Sequence, residues 1–408
     1  MRWRKRCRRC GPADMARRTG PRRTSGFGRV LGLLLCAWSS ACTGLFQRPV
    51  DAPGQRYALR IEPAVVEVGS AERDITPAVG GYLAGFDMGR RSTGVSSPLK
   101  VRALVIGTPT RRFAIVGVDN LGVMREDVDW LKAGLPGFAN GDVFVCASHT
   151  HAGPDLIGLW GYYFLTTGRD GEYLVALRRA MHEAVAEATA RLRQARFRLG
   201  EGRLPATGLV KNANHAGIFD RRITVLHAEA VHGGESLGTL LHLACHPEVL
   251  PRRNESISAD FVGALCDEWR ARGLGQAVFV NGALGAMISP GFQPRDEAGV
   301  QTFGAMVCDR AVTALADAED LPIDVVEVRR ADVFLPMASA GFQLGRLTGV
   351  LPREVHDGAA RSTVGYLRLG DFEAVCVPGE MEPVLAAELR RELRKPDLLV
   401  FGLCDDEV

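Results

Sequence analysis

Five short apolar runs in this chain each stop at a cluster of polar residues, and that recurrence restricts the fold more than any other feature. Phe113–Val118 leads into Asp119-Asn120, Val143–Ala147 into Ser148-His149-Thr150-His151, and Gly238–Cys245 into His246-Pro247-Glu248. Ala277–Val280 leads into Asn281-Gly282, and Ala374–Val377 into Pro378-Gly379-Glu380. Runs this short and continuous read as strands buried on both faces. Val101–Ile106 and Leu398–Leu403 read the same way. Between them, apolar residues recur at helical spacing over Glu172 to about Arg193, Ala259–Arg270, Glu297–Ala316 and Glu382–Leu393. The alternation predicts an α/β protein, a mixed β-sheet core flanked by helices in a single large domain. Polar tips from five strands would then share one face, where loops hold side chains on a rigid sheet.

Charge is unevenly spread. Of 50 basic residues, eleven lie in residues 1–42 with a single acid, Asp14, which leaves 39 basic and 46 acidic residues in the rest. The body of the chain is therefore acidic, and a nucleic-acid partner is not expected. Residues 1–41 read as a signal or leader segment, with basic residues ahead of the apolar run Val30–Cys36 and small residues Ser39-Ser40-Ala41 after it. Met15 is an alternative start. Cleavage after Ala41 would expose Cys42, the position a bacterial lipoprotein acylates, although Ser39 stands where a leucine is usual. The expectation is an exported chain, either a cell-envelope lipoprotein of the periplasm or outer membrane, held at a membrane surface through lipid on Cys42, or a secreted protein. Residues 42–57 would be an exported linker and residues 58–408 the folded domain.

Of ten cysteines, Cys7, Cys10, Cys36 and Cys42 lie in or at the end of the leader. The other six stand singly in apolar runs and read as buried small hydrophobes rather than a disulfide framework. His149 and His151 are two apart on an extended tip, so both imidazoles can address one ion or its water. His246 and Glu380, at two other strand ends, would supply a second nitrogen and an oxygen. Two histidines and a carboxylate with an open position is the donor pattern of catalytic zinc. His242 shares the strand face of His246 and reads as core wall. His182 reads as a surface helix residue, and His215, His227, His232 and His356 as surface or loop residues. The glycine-rich segment Asn281–Pro290 carries Ser289 but lacks the G-x-S-x-G elbow of serine hydrolases.

At these residues a family resemblance enters. Ser148-His149-Thr150-His151-Ala152-Gly153-Pro154 resembles the GTHTHSGP segment of the neutral/alkaline non-lysosomal ceramidases. The other motifs follow in order: Ala71–Pro77 with Gly80–Tyr82, Val118-Asp119-Asn120, Ala244–Pro247, Ser258–Asp260, Met287–Pro290 and Val377–Glu380. The resemblance covers roughly residues 60–408. It implies a Zn2+ site of His149, His246 and Glu380, with His151 beside the metal and Ser289 as the residue labelled nucleophile in that family. Metal-activated water attacking the amide directly is an alternative, with His151 moving the proton and Ser289 orienting substrate. The family's fourth ligand is a tyrosine expected just after Leu403–Val408, where this chain ends; water in its place or a shortened product are the two expectations. The family's C-terminal immunoglobulin-like domain is likewise missing from the sequence. For the arginine near the substrate carbonyl, Arg221 and Arg222 are the candidates.

The resemblance implies a zinc-dependent amidohydrolase acting on ceramide or a related N-acyl lipid, a hydrolase of linear amide C–N bonds. Apolar residues Leu156, Ile157, Leu159, Trp160, Tyr162, Tyr163 and Phe164, just after the histidine pair, would form the mouth of a lipid groove or simply pack on the core. The competing readings are a zinc-dependent ester or phosphoester hydrolase, and a non-catalytic envelope-associated binding protein on the same scaffold.

Overall fold

The computed structural model describes residues 54–205 and 208–408; the leader, Met15, Cys42 and most of the expected linker lie outside them. Every expected strand and helix named above is present within a few residues of its expected ends. Among the described residues the larger sheet has the strand order Ala277–Asn281, Ser236–Leu243, Arg222–Ala230, Arg193–Arg203, Glu67–Asp74, Lys100–Gly107, Arg112–Val118, Val143–Ala147. Its interior pairings are antiparallel, while Ala277–Asn281 and Val143–Ala147 each pair parallel with their neighbour. The sheet folds back on itself. Ser70 Oγ donates to the Leu237 carbonyl at 2.7 Å, and Asn281 Nδ2 on one end strand donates to the Ser148 carbonyl beyond the other at 2.9 Å. Two strand tips far apart in sheet order therefore meet.

Helices cover the outer face. Gly171–Ala190 packs Leu177, Met181 and Val185 against Val101, Val105 and Val116. Its first turn is capped by Asp170, whose carboxylate accepts from the amides of Glu172 and Tyr173. Asp260–Ala271 and Glu297–Ala316 lie over Val225, Leu241 and Phe279. The inner face packs on a second sheet, ordered Arg56–Ile61, Val326–Pro336, Ala359–Leu369, Phe372–Cys376, Leu399–Phe401. Leu104, Ile106 and Phe113 meet Val326, Val328, Leu367 and Phe372 across this interface. The α/β expectation stands, with a mixed sheet, but the second sheet adds a sandwich that apolar runs did not announce. The strand Phe372–Cys376, which leads to Glu380, belongs to that second sheet, so the two-sheet stack brings Glu380 to the histidine-bearing tips. Among the described residues no helix is long and apolar enough to cross a membrane.

Candidate metal centre and groove

His149 sits one residue past Ser148, whose amide donates to the Val118 carbonyl at 2.9 Å. Its own amide donates to the Asn120 carbonyl at 2.8 Å, and its backbone is left-handed, φ 73°. A buried non-glycine residue in that region stores strain that the surrounding structure must hold. His149 Nδ1 lies 2.7 Å from the Leu121 carbonyl oxygen. His246 Nδ1 lies 2.8 Å from that of Ile288, an acceptor it shares with the His246 amide. A carbonyl can only accept, so each Nδ1 donates and each Nε2 is left to face inward. Asn281 joins the two tips, its Oδ1 accepting from the Cys245 amide at 3.0 Å and its Nδ2 donating to the Ser148 and Cys245 carbonyls.

Glu380 closes the group. Its Oε1 is 3.2 Å from His149 Nε2 and its Oε2 is 3.1 Å from His246 Nε2. Gly379, at φ 66°, turns the strand end so that this carboxylate points in, and its amide donates to the Asp406 carbonyl. Burial alone would raise the Glu380 carboxyl, but hydrogen bonds and charge from His149 and His246 hold it well below the ordinary range. Burial would lower His246, and the Glu380 carboxylate overrides that and raises it. Two Nε2 atoms aimed at one carboxylate require protons or a cation between them. Bonds of 2.0–2.1 Å to a tetrahedral ion put neighbouring ligand atoms about 3.3 Å apart. The two Nε2–Oε separations fit that edge, so the residues suit a divalent ion.

His149, His151 and His246 also bring ligand atoms within 4.8 Å of one another, so these three histidines alone could hold a metal ion. Glu380, which approaches both Nε2 atoms, and His151 are the two candidates for a third ligand. His151 is aimed at no protein acceptor: both its ring nitrogens are buried without a hydrogen-bond partner, and Glu248 Oε2 stands off Nδ1 at 3.8 Å. Burial, then the charges of His149 and His246, push its pKa well below the usual imidazole value. Its place is fixed by its backbone, whose carbonyl accepts from Arg90 Nη2, and by close packing on Gly85, where a Cβ would fall 2.5 Å from the His151 ring.

A cavity of about 520 Å³ opens on these residues. His149, His151, Arg353, Glu380 and Glu407 supply its polar lining; Leu121, Met124, Ile157, Leu159, Trp160, Phe342 and Leu351 are among its apolar walls. The expected groove-mouth residues divide three ways. Ile157, Leu159 and Trp160 line the cavity, Leu156 is in the core, and Tyr162, Tyr163 and Phe164 are exposed and outside its lining.

Ser289 lies on the short strand Ile288–Pro290, paired with Val210–Asn212. Its hydroxyl donates to the Met287 carbonyl at 3.4 Å, and it is not among the residues lining the cavity. His242 is core wall, as expected, bonded to the Val400 carbonyl. His227 corrects a surface expectation: it is buried, with Nδ1 2.7 Å from Thr239 Oγ1. Arg222 is committed to Asp220, and Arg221 to the Leu204 carbonyl. The six body cysteines are all free and buried.

The sequence motifs assign no role to Arg90, Arg353 or the individual acids of the turn Asp405-Asp406-Glu407. The turn's signal was present, since it is a sixth polar tip, following the strand Leu399–Phe401.

Comparison with known proteins agrees with this geometry. A sequence model described as neutral/alkaline non-lysosomal ceramidase, N-terminal, matches residues 66–276. The fold resembles the crystal structure of neutral ceramidase from Pseudomonas aeruginosa, with a TM-score of 0.67 at 17% identity, covering 84% of this chain and 68% of that one. A structure described as ceramidase complexed with C2 matches equally well, covering 69% of its chain. No curated protein gives a significant match.

Proposed function

The chain belongs to the neutral/alkaline non-lysosomal ceramidase family, and on that premise we propose that it is an exported, zinc-dependent amidohydrolase cleaving ceramide or a related N-acyl lipid. The observation that carries the reading is a divalent-ion donor set, His149, His246 and Glu380, of which His149 and Glu380 line an otherwise largely apolar cavity. Bound there, zinc would polarise the amide carbonyl and make a water nucleophilic near neutral pH.

The protein's own groups do the rest. The apolar walls take the acyl chain and exclude water from the scissile bond. His151, neutral and without a protein partner, is free to take a proton from the attacking water and pass it to the leaving amine. Glu248 Oε2 stands 3.8 Å from Nδ1 of that ring. Ser289 acts through the loop that holds His246, since it follows Ile288, whose carbonyl accepts from His246 Nδ1. Its hydroxyl is bonded to a carbonyl, and no base sits on it among the described residues, so water is the better nucleophile. Against a phosphoester, the single cation lining the cavity among the described residues, Arg353, has its guanidinium committed to both oxygens of Asp406. Export and a lipid on Cys42 would put the enzyme where its substrate lies.

The test is hydrolysis of N-acyl-sphingosine beside a matched ester and a phosphoester, with and without chelator. Amide cleavage lost on chelation and restored by zinc is expected. Cleavage of the ester or phosphoester alone, or chelator-resistant amide cleavage, would overturn the reading.

A further inference from the structure

We propose that Arg90 is the positioning residue for His151, the group that moves the proton in the proposed reaction; the inference rests on that reading of His151. The imidazole is held without a hydrogen bond, since both its ring nitrogens are buried and unpartnered. The His151 amide makes only a long bond, 3.5 Å, to the Pro247 carbonyl. Packing must therefore fix the ring, and a reacting group misplaced by about 1 Å can lose about 100-fold in rate. That packing comes from one loop, residues 83–90. It is closed at its base by the Leu83 amide, which donates to the Arg90 carbonyl at 2.9 Å. Within it Gly85, at φ 97°, lies so close to His151 that a Cβ would fall 2.5 Å from the ring. The Phe86 ring meets the imidazole edge-on, with centroids 4.7 Å apart.

One guanidinium holds these pieces together. Arg90 Nη2 donates to the carbonyls of His151 at 2.5 Å and Ala84 at 2.7 Å, and Nη1 donates to that of Asn254 at 2.6 Å. Its central carbon lies 5.1 Å from the centroid of the Phe86 ring, within reach of a cation–π contact. Arg90 thus fixes the His151 backbone directly, and with it the ring that packs on the imidazole. Burial pushes the Arg90 pKa down to about 10, which leaves it charged at neutral pH. A buried cation is costly, and an apolar side chain would fill the same space at less cost. What an apolar side chain could not do is hold three carbonyls from three segments. The loop also reaches the cavity. Trp160, one of the cavity walls, donates Nε1 to the Phe86 carbonyl at 2.9 Å, and its own carbonyl accepts from the Gly89 amide. The wall proposed to take the acyl chain and the imidazole are therefore seated on the same loop.

The test is a double-mutant cycle on N-acyl-sphingosine hydrolysis by the full chain with zinc, at protein concentrations that keep the slowest variant measurable. Arg90→Met and Phe86→Leu are each compared in the parent and in a His151→Ala background, with zinc affinity measured beside the kinetics. In the parent, Arg90→Met should lower kcat about 100-fold, with KM and zinc affinity unchanged within about twofold. His151→Ala alone should lower kcat by about 10²- to 10⁴-fold. Added to it, Arg90→Met should lower kcat by less than about threefold further, because a residue that acts through His151 has nothing left to position. Phe86→Leu, which leaves the carbonyl bonds of Arg90 in place, should follow the same pattern with a smaller loss, and it covers the case of an Arg90→Met protein that fails to fold. Equal losses in both backgrounds, zinc lost in Arg90→Met, or an Arg90→Met protein with the parent's kcat would overturn the role of Arg90. A His151→Ala protein with the parent's kcat would instead remove the proton-moving role of His151, and a parent that cleaves no amide would remove the proposed function; either takes this inference with it.

Discussion

The His246 ring donates through Nδ1 to the carbonyl oxygen of Ile288 at 2.8 Å, and Ile288 is the residue immediately before Ser289. The serine loop is therefore part of the device that aims a proposed ligand. Its influence on the site is mechanical as well as chemical, because Gly285 at its start packs on the Glu380 loop, donating its amide to the Met381 carbonyl at 2.9 Å.

Gly285→Ala tests that coupling. The added Cβ would lie 2.7 Å from the Glu380 carbonyl oxygen, so the Glu380 loop must shift. We expect zinc affinity to fall about 10- to 100-fold, the range seen when groups behind metal ligands are disturbed, with the fold retained. Zinc titration with circular dichroism checks this.

Phe342→Ala tests the groove. The ring lines the cavity from the helix Ala340–Leu347 while remaining about half exposed. Its loss should remove roughly 1 kcal/mol of acyl-chain burial. KM for long-chain N-acyl amides should rise about fivefold, while short-chain substrates and metal content are unchanged. Steady-state kinetics across chain lengths decides it.

His242 sets a pH limit. Burial drops its pKa from 6.5 to about 4. The unfolded chain takes up this proton near pH 6.5 and the folded protein only near 4, so stability is full above that window and is lost as pH falls through it. The loss amounts to about 3 kcal/mol at the acid end. His242→Gln, which can still donate to the Val400 carbonyl, should flatten denaturation midpoints between pH 6.5 and 4.

Asp405→Asn leaves two buried cations, Lys132 and Arg330, without their shared counter-ion. Burial opposes ionisation of Asp405, but Arg330 and Lys132 prevail and hold its pKa at about 2. The substitution should cost about 3–5 kcal/mol, and urea unfolding at neutral pH measures it.

The residues of the proposed metal centre were legible because each ends a run too apolar and too short to be anything but a buried strand. His149, His246 and Glu380 lie at three such ends. The second sheet was not legible for the opposite reason. Val326–Pro336 and Ala359–Leu369 mix arginines and acids with apolar residues, because their ends and outward positions are only partly buried. Arg193–Arg203 hides in the same way behind four arginines. His227 was misjudged because nothing local announces Thr239 as its partner; strand pairing alone brings them opposite.

The central claim, that His149, His246 and Glu380 hold a catalytic cation, is tested most directly by metal content. Mass spectrometry of the purified protein, beside His246→Ala and Glu380→Ala, should find about one zinc per chain in the parent and none in either variant. A parent without metal after zinc reconstitution, or variants that keep it, would contradict the account.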